Sequence, residues 1–285
     1  MPGASQVAAP LRSLPAHINM PYCGSYRGAL WNAQALFSRQ PSKHEKKMNK
    51  VVELMRHQDF MFISETHSTI GKVRALEHRL EQLGLSAWWS HGGHRRAGTG
   101  VIIKNSFLSE FSSAPPTWLD ISPGEAGILR LSGSKGQLDL CAAYFPTGNQ
   151  RSEGNSLVDL RSALRRKIHG AVRPQQITLT IMGADFNYVT DRDDRWSKNT
   201  ARWSSTSDHR DELDWGNLFG GREGILNELY QPHGTHDSAG ARSRLDRVYV
   251  SSGIAEQLDA QLGCATLDWC KDLSNHRPLI FFSED

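Results

Sequence analysis

The stretch Ile177–Asn187, ITLTIMGADFN, decides how the chain reads. Its first seven residues are apolar or β-branched with little interruption, the pattern of a strand covered on both faces. It ends in Gly183-Ala184-Asp185-Phe186-Asn187, where the glycine predicts a free turn of the backbone at the strand end. Asp185 and Asn187 follow at positions i and i+2, which on extended backbone point to the same side. A carboxylate and an amide together at the end of a buried strand cost desolvation free energy unless something binds them. The alternative is a plain turn, in which Asp and Asn are ordinary residues.

Outward from that strand the chain alternates. Strand-like runs at Ala29–Asn32 and Asp59–Ile63 flank an amphipathic helix, Glu45–His57, which carries Met48, Val51, Val52 and Met55 at helical spacing. The second run leads into Ser64-Glu65-Thr66-His67. A helix at Lys72–Leu83 stops at Gly84. Further runs lie at Ala87–Ser90, Gly100–Lys104, Ile128–Leu131 and Leu138–Tyr144, and a helix at Ser156–His169 is closed by Gly170. After a polar segment, 188–210, helical turns are expected from Glu212 to about Leu229, and strands at Arg247–Ser251 and Leu279–Phe282. Mixed strands and helices with hairpin-length gaps predict sheets inside and helices outside, in one domain over residues 29–285. Residues 1–28, rich in Pro, Ala, Gly and Ser and without an acidic residue, read as a disordered leader with no secretory apolar region.

Composition narrows the class. With 285 residues, 38% hydrophobic content and eight Trp, the chain can bury a sizeable core as a soluble globular protein. A formal charge of +3 is compatible with a polyanionic partner without demanding one. Cys23, Cys141, Cys264 and Cys270 show neither zinc spacing nor a small disulfide framework, which predicts a reducing compartment. No apolar run approaches the roughly 20 residues that span a bilayer, so no membrane is expected as a partner.

Polar residues recur at strand ends: Asn32, Glu65, Tyr144, Asp185 with Asn187, and finally His276. In layered α/β proteins such ends carry sites, because the scaffold is rigid and the loops open to solvent. Carboxylate and amide oxygens without a cysteine cluster suit a hard cation, Mg²⁺ or Mn²⁺. The ordered set WNAQAL (31–36), ISETH (63–67), YFPTGN (144–149), MGADFN (182–187), SRLDRVYVS (243–251) and SNHRPL (274–279) resembles the endonuclease/exonuclease/phosphatase superfamily. Within it, the set is most similar to the apurinic-endonuclease-like domains of LINE-type retrotransposons. Each piece is short, but the order and spacing together carry the resemblance over about Ala29 to Phe282.

The resemblance implies an α/β (α+β) fold of the DNase I type, a four-layered sandwich of two packed β-sheets flanked by helices. It implies metal-dependent phosphodiester hydrolysis. Glu65 would be the main metal carboxylate, assisted by Asn32. Asp185 would orient or deprotonate the attacking water, and Asn187 would hold that geometry or a phosphate oxygen. Tyr144 would donate to the phosphoryl group, His276 would stabilise its charge, and Asp246 would fix the His276 ring. Two positions depart from the family. Ser274-Asn275-His276 replaces the usual Ser-Asp-His, so Asn275 would stand in the metal shell with one charge fewer, and Gln34 replaces an acidic or amide residue. Ser207-Asp208-His209 also spells the expected tripeptide, but it lies directly before a helix, where Ser207 or Asp208 reads as an N-cap.

The basic and aromatic residues of the 191–210 segment suit a nucleic-acid surface, with Arg195, Arg202 and Trp203 as candidates. The alternative is a solvated loop whose tryptophans pack locally. Thr235 resembles a threonine near the DNA minor groove in the family. The first reading is therefore a Mg²⁺-dependent DNA endonuclease that nicks one strand and leaves a 3′-hydroxyl. The others are the same fold acting on RNA, a phosphoinositide or another phosphoester, and a degenerate nucleic-acid-binding module. A retrotransposon origin would imply the nucleus; otherwise an intracellular, non-secreted protein is expected. Protein partners are unknown from sequence.

Overall fold

The structure, a computed structural model, describes residues 19–92, 97–147, 156–204, 208–220 and 225–283. In chain order, β1 (Tyr26–Asn32) leads through α1 (Pro41–Met55) to β2 (Phe60–Ser64), then α2 (Ile70–Gln82), β3 (Leu85–Ser90) and β4 (Thr99–Lys104). A short α3 (Asn105–Leu108) precedes β5 (Thr117–Ser122), β6 (Ala126–Gly133) and β7 (Gly136–Tyr144), and α4 (Leu157–Ala171) crosses to β8 (Leu179–Asp185). Then come β9 (Arg195–Ser197), β10 (Arg202–Trp203), α5 (His209–Phe219), β11 (Asn227–Glu228), β12 (His236–Asp237), β13 (Ala241–Ser243) and β14 (Asp246–Val250). The last elements are α6 (Ile254–Asp259), β15 (Gly263–Thr266) and β16 (Leu279–Ser283).

Two six-stranded sheets result, ordered β15-β16-β1-β2-β4-β3 and β11-β14-β8-β7-β6-β5, with a small sheet β10-β9-β13-β12. The parallel pairs β1/β2 and β7/β8 are joined through α1 and α4, because parallel neighbours need a crossover. Phe60, Phe62, Val101, Leu129, Leu140, Ile181, Val248 and Phe281 form the core between the large sheets. The outer face of the first sheet packs on α1 and α2 through residues such as Met48, Val51, Leu76 and Leu80. The second packs on α4 and α5 through Leu164, Ile168, Trp215 and Phe219. The fold is thus the expected four-layered sandwich of two packed sheets flanked by helices.

Several details differ from the sequence expectation. Gly183 does not turn the chain; it lies inside β8, paired with Ala142 and Val248. A Cβ there would come within 2.2 Å of the Phe62 ring, so glycine is required for the sheets to approach each other. Gly170 likewise lies within α4 rather than closing it. β5 was not anticipated, because most of its residues are exposed or half-buried and show no buried alternation. The helix of the 212–229 region ends at Phe219, and Asn227–Glu228 pair with β14. The expected leader also extended too far. Tyr22 and Tyr26 are buried in the core and β1 starts at Tyr26, while residues 1–18 lie outside the described part. No helix among the described residues is long and apolar enough to cross a membrane.

Candidate active site

The two sheets bring their polar strand ends to one edge. In the second sheet Asp185 stands between Tyr144 and Asp246, its register partners on β7 and β14. In the first, Asn32 is paired with Ser64, the residue before Glu65. The Asn32 amide spans the gap between sheets, donating from Nδ2 to Asp185 Oδ2 at 2.7 Å and to Glu65 Oε1 at 3.1 Å. His276 reaches the same place: its Nδ1 lies 2.7 Å from Asp246 Oδ2, and its Nε2 is 4.0 Å from Asp185 Oδ2. The Tyr144 phenol faces the charges of Glu65 and Asp185. Asn32, Asp185, Asp246 and His276 are all buried, at 0 to 3% exposure, so these contacts form in a desolvated floor.

Left-handed backbone shapes that floor. Gln34, Ala35, Glu65, His67 and Asn187 all have positive φ, between 43° and 68°. Such conformations cost non-glycine residues free energy and cluster where surrounding bonds hold them. Here those bonds are identifiable. The fully buried Lys47 ammonium donates to the carbonyls of Ala33, Gln34 and Ala35, fixing the loop after β1. Its pKa falls to about 8, chiefly through burial. Asp185 Oδ1 accepts the Asn187 N–H at 2.9 Å, and Asn187 Nδ2 donates to Phe145 O at 2.9 Å. Asp185 and Asn187 are therefore joined by a side-chain turn rather than by sharing a face of extended backbone. Ser274 explains its own place in the tripeptide: its hydroxyl donates to Asn32 O at 2.7 Å and accepts His276 N–H at 3.0 Å. Trp31 Nε1 donates to His276 O at 3.2 Å, tying β1 to the histidine's backbone.

The electrostatics follow from burial and neighbours. Burial alone would lower the His276 pKa, but the Asp246 carboxylate outweighs it and holds the imidazole up at about 9. That attraction favours the imidazolium form, with Nδ1–H donating to Asp246. The Asp185 carboxyl is pushed up, first by burial and then by Asp246, against the pull of His276. The Tyr144 phenol is pushed far up by burial and by Glu65 and Asp185, and stays protonated. Asp246 Oδ1 is buried with no hydrogen-bond partner among the described residues. Ligand atoms of Asp185, Asp246 and His276 all lie within 4.8 Å of one another. With its Nδ1–H given to Asp246, the His276 ring is no metal ligand; the Glu65 and Asp185 carboxylates, which share the Asn32 amide, fit a hard divalent cation that would offset their mutual repulsion. Arg244 and Arg247 do not compete for Asp246, because both pair with Asp194, at 2.6 and 2.7 Å.

Other expected site residues lie elsewhere or act differently. Asn32, expected as an oxygen ligand, uses its Oδ1 to accept Gln34 N–H at 2.9 Å and presents its NH₂ to the carboxylates; it bridges them. Thr235 cannot meet nucleic acid as expected. It is fully buried, and its hydroxyl accepts the N–H groups of Leu245 and Asp246 at 3.0 and 2.9 Å, holding Asp246 in place. Asn275 is exposed; its N–H donates to Gln34 Oε1, and its side chain has no hydrogen bond among the described residues. His209 is 72% exposed, with its ring beside Glu212, so the second Ser-Asp-His is no rival to His276. Asp208 is the N-cap residue of α5, but its carboxylate accepts Val189 N–H instead of capping; Ser207, Gly148 and Asn149 lie outside the described residues. Arg195 is partly exposed, while Arg202 and Trp203 lie on the open edge of the small sheet.

One positioning residue was missed. Arg161, on the buried face of α4, donates from Nε to Pro146 O at 3.0 Å and from Nη2 to Asn187 O at 2.7 Å, with Nη1 on Asp211 at 3.0 Å. A single planar guanidinium thus joins the loop after Tyr144 to the loop after Asp185. Its signal was present in the spacing: Arg161, Arg165 and Ile168 share one helical face, a phase in which a surface arginine would not fall.

With this geometry in view, comparison identifies the class. The pattern of the endonuclease/exonuclease/phosphatase family matches residues 29–260, and the chain belongs to that family. Comparison with curated proteins found no match. Among solved structures, the chain resembles the AP endonuclease LMAP of Leishmania major, with TM-score 0.64, 15% identity, and 92% of this chain and 88% of that one covered. It also resembles the endonuclease domain of TRAS1, a telomere-specific non-LTR retrotransposon, with TM-score 0.56, 15% identity, and coverage of 90% and 98%. A third is D. rerio TDP2 complexed with single-strand DNA product, with TM-score 0.56, 13% identity, and coverage of 92% and 100%.

Proposed function

We propose that the chain is a divalent-cation-dependent phosphodiesterase acting on DNA, an endonuclease that nicks one strand and leaves a 3′-hydroxyl. The observation that carries this is the Asn32 bridge between Asp185 and Glu65, set beside the His276–Asp246 pair in one desolvated floor. Likeness to a retrotransposon endonuclease domain, and to a protein captured with a single-strand DNA product, supports DNA as the substrate.

Each side chain has a task in an in-line attack on phosphorus. Glu65, with Asn275 alongside, would hold Mg²⁺ or Mn²⁺, and the ion would supply positive charge to the non-bridging oxygens. Asp185 accepts a proton from the attacking water, and its raised pKa makes it a better base for that step. The Asn187 N–H on Asp185 Oδ1 keeps the carboxylate from rotating away. The His276 imidazolium, its Nδ1–H committed to Asp246, directs Nε2–H to the phosphoryl oxygen where charge grows. Tyr144, still protonated, donates to the same phosphoryl group.

The test is nicking of supercoiled plasmid with Mg²⁺, with Mn²⁺ and with EDTA, beside an abasic-site oligonucleotide, followed by primer extension from the nick. Open-circular product that requires a divalent ion and extends with a polymerase is expected. Faster turnover of RNA, an inositol phosphate or a simple phosphomonoester would overturn the assignment. Binding without cleavage under every condition would make the chain a binding module.

A further inference from the structure

Beside the floor lies a cavity of about 440 Å³ that the proposed chemistry does not use. Trp196, Trp203 and Trp269 line it together with Arg242 and Arg277, and with Asp193 and Asp194. The Trp196 and Trp203 rings meet nearly at right angles, 76° apart with centroids at 5.2 Å, so two indole surfaces face different directions. Trp203 nonetheless stays 52% exposed. Trp269 carries the Arg277 guanidinium over its ring at 5.1 Å and the Lys271 ammonium at 5.8 Å. Neighbouring strands and loops anchor the lining. Arg242 and Trp196 are register partners in the small sheet, Asp194 pins the preceding loop to Arg244 and Arg247, and Arg277 Nε donates to Gly234 O at 2.8 Å.

This cavity borders the reaction site through Gly234 and Arg277, the chain neighbours of Thr235 and His276. Arg277 follows His276 directly, and the His236 ring, one residue past Thr235, lies 4.5 Å from the His276 ring. Whatever sits among the three indoles is within a nucleotide or so of the phosphate that His276 would face. The chemistry of the walls selects the occupant. Flat aromatic surfaces stack on any nucleobase, and guanidinium groups in the lining pair with the phosphates on either side. The volume lies in the range of pockets that enclose one small molecule.

Resting on the DNA-hydrolase reading, we propose that the cavity among Trp196, Trp203 and Trp269 receives one unpaired nucleobase of the strand being cut. A base can enter only if it has left its duplex partner, so the pocket would favour substrates that are single-stranded or carry an unpaired nucleotide beside the scissile bond. Stacking alone would leave the pocket tolerant of base identity.

The test uses the full chain carrying His276→Ala, so that substrate survives, and three oligonucleotides: a paired duplex, the same duplex with one unpaired nucleotide, and the single strand. 2-Aminopurine replaces the unpaired base. Its fluorescence should be quenched on binding, and Trp203→Ala or Trp269→Ala should abolish the quenching. These variants should weaken the unpaired and single-stranded complexes about tenfold and the paired duplex less than twofold. Trp203→Phe, which keeps a ring, should restore most of the affinity and controls for folding. Equal weakening of all three substrates, or unchanged quenching in both alanine variants, would overturn the proposal while DNA hydrolysis stands. Failure of the parent protein to bind or nick any DNA would remove both.

Discussion

The floor around Asp185 and the tryptophan rim of the small sheet lie next to each other but are built on opposite principles. In the floor, Asn32, Asp185, Asp246 and His276 are nearly inaccessible, each held by a short bond to another strand end. At the rim, strands are two or three residues long, Arg202 and Trp203 face solvent, and the rings hold one another. Groups that stabilise growing charge must be preorganised and dry, since their effect falls as the local dielectric rises. Groups that choose a partner gain from exposure and from some freedom to adapt. The contrast implies that changes in the floor remove rate at little cost in binding, and changes at the rim shift binding and salt response at little cost in rate.

The largest effect should come from the floor itself. Asp185→Ala or His276→Ala is expected to lower plasmid nicking by about a thousandfold or more, by analogy with the loss of single stabilising groups in other enzymes. For Asp185→Ala the melting temperature should hold or rise, because a buried carboxyl with raised pKa is removed from beside Asp246. Cleavage within a few-fold of the parent would take Asp185 out of the mechanism. Arg161→Lys tests whether the floor depends on its support. An ammonium cannot reach Pro146 O, Asn187 O and Asp211 in one plane, so kcat should fall roughly ten- to a hundredfold with KM nearly unchanged. A proportional rise in KM, or a loss of cooperative melting that accounts for the whole effect, would reduce Arg161 to a structural residue.

Asn275→Asp sits between the two regions. If Asn275 belongs to the metal shell, restoring the charge should lower the half-saturating Mg²⁺ concentration by about tenfold, equivalent to about 1.4 kcal/mol. Activity at saturating metal should hardly change, and an unaltered titration would place the residue outside the shell. At the rim, Arg195→Ala with Arg202→Ala should weaken binding only a few-fold at moderate salt. It should also flatten the logarithmic salt dependence by about one for each lost phosphate contact. A change in kcat of equal size would erase the distinction between floor and rim.

The same contrast explains what the sequence made readable. Floor residues follow apolar runs, so Glu65 after β2 and Asp185 at the end of β8 stand out against their own strands. The rim has no such background: β9 and β10 are too short for any periodicity, and the cavity exists only because β13 brings Arg242 opposite Trp196. Thr235 could be located by motif but not interpreted, since its work is done through the backbone of Leu245 and Asp246, ten and eleven residues later. Gly183 was read as a turn because a ring from the opposite sheet, Phe62, cannot be seen along one strand. The partners of Arg161 are hidden for the same reason: two of its acceptors are main-chain oxygens of distant loops.

The strand order carries a consequence for the chain during its synthesis. β1 lies between β2 and β16, and the Ser274 hydroxyl closes on Asn32 O across 242 residues of sequence. Until residues 274–283 have left the ribosome, the first sheet lacks an inner strand, Trp31 has no His276 carbonyl to hold, and Asp246 faces no imidazole. A chain that stops short of Ser274 therefore lacks a complete floor, and the long sequence separation of these contacts makes their closure slow. Ribosome-stalled chains arrested before Ser274 should show neither nicking nor protease resistance of β1, and both should appear together once β16 is released.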